Sequence, residues 1–212
     1  MNLSFYISSI PEIFLTISSM ALLMLGVFVK NKDNYYLVSN IAIIALVVTF
    51  FLLVMGVAPK GMAYGKSFIL DDFSIFIKSL ILIASIIILI ISNVYLRNIR
   101  LLKFEYIILI IMSVIGMMLM VSSNDLITLY LSIELQSLPL YVLAAIRNKS
   151  INSSESGLKY FVLGALSSCI LLYGLSLVYG YSGSITYQDI SNNLIEEGNL
   201  VGEDSESFIG DE

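Results

Sequence analysis

Apolar runs broken by short polar clusters follow one another along most of this chain, and a helix needs about 20 such residues to cross the hydrocarbon core of a bilayer. Six segments meet that length, near Ile10–Val29, Tyr36–Val57, Phe73–Leu96, Phe104–Val121, Asp125–Ile146 and Gly157–Tyr179. The runs are continuous and too long for the short, alternating strands of a membrane barrel, so they predict helices. The expected fold class is therefore all-α, a polytopic transmembrane helix bundle of about six spans. Pro11 falls in the first turn of the first span, where a missing N–H costs nothing. Between spans four and five, Ser122-Ser123-Asn124-Asp125 is rich in capping residues and predicts an antiparallel hairpin of helices. The connection from Ala58 to Asp72 is the longest and contains Pro59, Gly61 and Gly65, which predicts turns.

Composition agrees with this pattern. Of 212 residues, 58% are hydrophobic and 13% charged, against about 45–50% and 25% in a soluble domain. A single cysteine, Cys169, excludes an internal disulfide framework, and the lack of histidine removes the commonest ligand of zinc and haem. No metal site and no phosphate-binding glycine loop is expected, nor a nucleic-acid partner. The net charge of −5 conceals an asymmetry, because the stretch from Asp189 to Glu212 holds eight acids and no base. Residues 182–212 therefore read as an acidic polar tail. Lys30, Lys32, Arg97, Arg100, Lys103, Arg147 and Lys149 share one side of the membrane, against Lys60 and Lys66 on the other. By the positive-inside rule the first side faces the cytoplasm or matrix, and both termini lie opposite.

Charges within the spans carry the candidate chemistry. Glu134 lies about 14 Å into the fifth span, counted from Asp125 at 1.5 Å per residue. A charge at that depth costs about 2.5–3.5 kcal/mol on insertion scales. Tyr130, Ser137 and Tyr141 share its helix face at 100° per residue, which makes that face polar through the membrane. Two roles fit Glu134: a structural carboxylate hydrogen-bonded within the bundle, or a group that takes up and releases protons. Pro139 frees a carbonyl one turn earlier, near Leu135, and either simply kinks the helix or also admits water beside the acid. Lys159, about one turn inside the sixth span, is either a snorkelling side chain or a functional one, with Glu155 placed to pair with it. The depths of Glu134 and Lys159 argue against a direct ion pair between them. Lys78, near the start of the third span, reads as a snorkelling anchor, and Glu12, Glu105 and Asp125 as first-turn acids. Gly164, Ala165, Ser167 and Ser168 predict a packing surface on the sixth span that includes Cys169.

Two stretches resemble a known family. Leu129-Tyr-Leu-Ser-Ile-Glu134-Leu-Gln-Ser-Leu-Pro139-Leu-Tyr-Val-Leu-Ala-Ala is similar to the fifth helix of the antiporter-like subunits of respiratory complex I. Ser154-Glu-Ser-Gly-Leu-Lys159-Tyr-Phe-Val-Leu-Gly-Ala-Leu-Ser-Ser, with Leu-Tyr-Gly174 and Val-Tyr-Gly180 after it, resembles the next helix, and the opening Pro11-Glu-Ile-Phe also fits. The resemblance implies a proton-translocating membrane-arm subunit that couples NADH:quinone electron transfer to proton pumping. It places Glu134 and Lys159 in the proton path. It also implies other membrane-arm subunits and the lipid bilayer as partners, and a bacterial inner membrane location, with the mitochondrial inner membrane as alternative. No redox centre or cofactor is implied in this chain, NADH and quinone being used by the whole complex. On this basis residues 1–103 form an N-terminal three-helix segment, and 104–181 the first part of the antiporter-like repeat. The family's later lysine-bearing helices have no counterpart before Glu212, so a truncated, split or fragmentary subunit holding part of the path is expected. The rival readings are a subunit of a cation/proton antiporter or membrane-bound hydrogenase complex, and a non-transporting assembly form.

Overall fold

The computed structural model describes residues 8–28, 34–98, 102–147 and 150–195. Among them six helices are long and apolar enough to cross a membrane. They are α1 (Ile10–Phe28), α2 (Asn34–Val54), α3 (Asp72–Asn98), α4 (Phe104–Val121), α5 (Leu126–Ala144) and α6 (Ile151–Ser182). A further helix, α7, occupies residues 187–195. The chain is thus a polytopic membrane protein built as a helix bundle.

The helices bury mixed apolar and polar stripes and turn large apolar side chains outward. In α1 the buried positions are Pro11, Glu12, Leu15, Ser19, Leu22 and Gly26. In α3 they are Ser74, Lys78, Leu82, Ser85, Leu89, Ser92 and Leu96. These positions recur every three or four residues, so each set forms one stripe along its helix. The stripes carry Glu12, Ser19, Gly26, Ser74, Lys78, Ser85 and Ser92 beside their leucines, while Ile17, Met20, Ile83, Ile87 and Ile91 face outward. Lipid tails are as apolar as isoleucine, so helices in a bilayer associate through close packing and polar contacts instead. The central apolar layer joins Leu15 and Leu22 to Leu46, Leu82, Leu89, Ile107, Ile111 and Met118 from the next three helices. Helices α4 and α5 approach closely at Gly116, where an added Cβ would lie 2.5 Å from the backbone nitrogen of Gln136.

Cysteine 169 departs from the expected packing surface. It is exposed, and in α6 only Gly157 and Ser182 are buried. The helix touches α5 through Gly157, beside Ala145, and Gly164, beside the Tyr141 ring. It also begins two turns before the apolar run, because Ser150 caps it by accepting from the Ser153 N–H at 3.4 Å.

The connection between α2 and α3 contains a small β-hairpin. Strand β1 (Gly61–Ala63) pairs antiparallel with β2 (Phe68–Leu70) in the register Gly61 to Leu70 and Ala63 to Phe68. Its tip holds Tyr64, Gly65 and Lys66 at φ of 53°, 66° and 80°, a left-handed run that strains the two non-glycine residues. The hairpin is laced to the α4–α5 turn. Ile69 N–H donates to Ser122 O at 2.9 Å, and Asn124 N–H to Ser67 O at 2.9 Å. The lacing continues to the end of α6, where Leu126 N–H donates to Ile185 O at 3.0 Å and Tyr187 N–H to Asn124 O at 3.3 Å. Burial pushes the Tyr187 phenol above its ordinary range.

Helix α3 starts on a reciprocal cap. Ser74 N–H donates to Asp71 Oδ1 and Asp71 N–H to Ser74 Oγ, both at 2.8 Å. The bond from the Ser74 N–H, with help from its hydroxyl, holds the Asp71 carboxyl below the usual range.

Candidate functional site

Glu134 stands eight residues beyond the start of α5, about 12 Å along an axis of about 28 Å. The helix is set by Asp125, whose carboxylate accepts from the Thr128 N–H at 2.5 Å. Glu134 is half-buried, and its Oε1 is buried with no hydrogen-bond partner among the described residues. An unsatisfied buried carboxylate oxygen is costly and marks a place where water, a proton or a further polar group is wanted. Tyr130 and Ser137, on the same face, are also half-buried, and Tyr141 is buried. The polar face therefore points into protein. Ser137 Oγ donates to the Glu134 carbonyl at 3.2 Å.

Tyr141 ties this face to α6. It meets Tyr160 and Phe161 edge-on, with ring centroids 4.8 and 5.8 Å away. Nearer the laced end, Tyr130 lines a cavity of about 650 Å³ with Leu172, Ser176 and Tyr179 of α6 and with Asp189.

Lys159 does not meet Glu134. Its side chain is 68% exposed, and Nζ donates to Glu155 Oε1 at 2.5 Å. The contact of Gly157 with Ala145 fixes the relative heights of the two helices. The helices run antiparallel, so Lys159 lies about 3 Å and Glu134 about 16 Å to the same side of that level, leaving an axial gap of about 13 Å.

The structure brings together two residues that the sequence reading took singly, as an anchor and a first-turn acid. Lys78 is not a snorkelling anchor. It is 0% exposed and donates to Oε1 of Glu12, itself 3% exposed. The Lys78 ammonium also sits 4.7 Å from the centroid of the Phe68 ring, a cation–π contact. The signal that could have found the pair is helical phase. Lys78 shares a stripe with Ser74, Ser85 and Ser92, and Glu12 shares one with Ser19 and Gly26. A lysine on the lipid face can snorkel, whereas one on the packed stripe must be paired.

Residues 123–209 match the transmembrane family described as NADH:quinone oxidoreductase/Mrp antiporter. Similarity to individual proteins extends over nearly the whole chain. NADH-quinone oxidoreductase subunit N of Maricaulis maris is 47% identical over 91% of this chain and 40% of its own length. Subunit N 1 of Rhizobium meliloti is 45% identical over 92% of this chain and likewise 40% of its own length. The chain is a homologue of the antiporter-like subunits of respiratory complex I. Its fold agrees: a chain of Thermus thermophilus respiratory complex I superposes with a TM-score of 0.68 at 29% identity, covering 84% of this chain and 38% of that one. The chain spans about two fifths of the length of the curated relatives it matches. Within this homologue of the complex I subunits, Glu134 and Lys159 fall inside the family match, and Glu12 and Lys78 fall outside it.

Proposed function

We propose that the chain works as part of a proton-translocating membrane-arm subunit of NADH:quinone oxidoreductase, with Glu134 as a proton-carrying carboxylate. The observation that carries this reading is the 45–47% identity to subunit N over more than nine tenths of the chain. The orphaned oxygen of Glu134, near the middle of a membrane-crossing helix, supplies a group suited to the task. Lys159 is the second proton-path candidate, reached from Glu134 through water or a further residue. The chain contributes proton transfer and holds no redox cofactor, while NADH and quinone are handled elsewhere in the complex. Its partners are the other membrane-arm subunits, and its location is the bacterial inner membrane, as the named organisms are bacteria.

The test is a Glu134→Gln variant in the purified complex, where glutamine keeps the shape and loses the titrating group. Assembly should persist while NADH-driven acidification of vesicles falls several-fold. Unchanged pumping by a fully assembled variant refutes the role of Glu134. Co-purification with a cation/proton antiporter complex, without NADH dehydrogenase subunits, refutes the choice of complex.

A further inference from the structure

Glu12, paired with Lys78 behind it, forms part of the wall of a second cavity, of about 350 Å³. Ser9, Thr16, Tyr64, Ser67 and Thr128 bring hydroxyl-bearing side chains to the same wall. Lys78 occupies Oε1 of Glu12, while the buried Oε2 has no hydrogen-bond partner among the described residues. Three of these hydroxyls have other engagements. Thr16 Oγ1 donates to the Glu12 carbonyl at 2.8 Å, and Ser9 Oγ and Tyr64 OH share a hydrogen bond of 2.6 Å. A ligand for Oε2 must therefore be a small hydrogen-bond donor. Water fits at Oε2, because the cavity has room for it at about 30 Å³ per molecule, and the carboxylate with the wall hydroxyls supplies the two to four polar partners that a bound water needs.

Placement adds a direction. Glu12 is the third residue of α1 and Lys78 the seventh of α3, and both helices begin on the face that carries the hairpin. The pair thus lies about 3–9 Å inside that face. This is the side with few Lys and Arg residues, the outer side by the positive-inside rule. The charged surroundings are simple. Asp71, at the start of α3, acts on Lys78 electrostatically, and α4 and α5 contribute only Leu119 and Thr128 to the wall. The strained hairpin tip holds Tyr64 against Ser9, over the same cavity.

We propose that this cavity is a water-filled vestibule on the outer face, and that Glu12, held by Lys78, is a proton-exchange site distinct from Glu134. A proton arriving on vestibule water passes to Oε2 and leaves a neutral carboxylic acid beside the lysine. The reverse step returns the proton to water and restores the carboxylate. The exchange requires no redox partner and no group from α5 or α6.

The test uses the full chain in sealed membrane vesicles, with Cys169 replaced by serine. Thr16→Cys and Ser67→Cys place a thiol on the cavity wall, and Ser19→Cys places one on the dry stripe one turn deeper. A membrane-impermeant thiosulfonate added on the hairpin side should modify both wall thiols at least about tenfold faster than Ser19→Cys, and faster than from the opposite side. A hydrophobic carbodiimide, which reacts with protonated carboxyls, should then label Glu12 increasingly as pH is lowered, with labelling read by mass spectrometry of the peptide. Wall thiols as slow as Ser19→Cys from both sides overturn the proposal, whether the cavity is dry or filled by a lipid chain. Accessible thiols with no carbodiimide adduct on Glu12 at any pH overturn the exchange role.

Discussion

Replacing Lys78 by methionine keeps the length and the apolar stem of the side chain and removes its charge. Glu12 is then left buried, with both oxygens lacking a cation. Breaking a buried pair in this way costs about 3–5 kcal/mol in soluble proteins. In a bilayer the unfolded helices remain in lipid and find other partners, so the low end, about 3 kcal/mol, is expected. The lost contact with the Phe68 ring is contained in that figure. About 3 kcal/mol corresponds to a change of roughly 150-fold in the unfolding equilibrium. The assay is a double-mutant cycle of Lys78→Met, Glu12→Gln and the two combined, unfolded with dodecyl sulfate in bicelles and followed by circular dichroism. The double variant should recover much of the single-variant loss, with a coupling energy of at least about 2 kcal/mol. The exposed Glu155–Lys159 pair is the internal comparison. Its side chains are 55% and 68% exposed, and an exposed i,i+4 helix pair contributes about 0.3–0.5 kcal/mol. A Glu12–Lys78 coupling no larger than that of Glu155–Lys159 would refute the reasoning.

Four further outcomes follow from the packing, the α3 cap and the hairpin turn. Gly116→Leu should separate α4 from α5 and cost about 2 kcal/mol or more, since the obstruction is the backbone of Gln136. Dodecyl sulfate unfolding of the variant checks it. The bonds from Ser74 that lower the Asp71 carboxyl stabilise α3 fully above the ordinary carboxylate range, and that stabilisation is lost as pH falls through the lowered folded value. Asp71→Asn, which caps without titrating, should therefore remove that contribution to acid sensitivity in a pH titration followed by circular dichroism. Asp71→Ala should cost about 1 kcal/mol at neutral pH. Lys66→Gly relieves a left-handed φ of 80° and should raise stability by about 1 kcal/mol. A lower thermal midpoint would show that the lysine side chain makes a compensating contact.

The spans were legible because hydrophobicity reports membrane depth directly, and α4 appears at the expected Phe104–Val121. The start of α6 was not, because Asn152-Ser-Ser-Glu-Ser is polar and a helix can extend beyond the apolar zone once Ser150 caps it. Loop composition predicted turns between α2 and α3 but not the hairpin, whose outer hydrogen bonds go to Ser122 and Asn124, far along the chain. The depth and polar face of Glu134 were readable from spacing, since both lie on one helix. The Glu12–Lys78 pair spans two helices, and distance from a helix end was the wrong measure for it. The spacing of Lys78 from Ser74 and Ser85, four and seven residues, which puts all three on one stripe, was the informative quantity.

The lacing of the hairpin-bearing rim also bears on the order in which the protein can be made. The outer backbone edge of β2 finds its partners at Ser122 and Asn124, in a turn synthesised more than fifty residues later. That turn is complete only when α4 and α5 have both threaded through the bilayer. Until then the groups at Ser67 and Ile69 that bond to it must be satisfied by water. The hairpin thus waits unclasped for two later helices. The closing of this rim is a late event of folding, begun when the α4–α5 turn reaches the hairpin and completed when residues 185–187 clasp its far side.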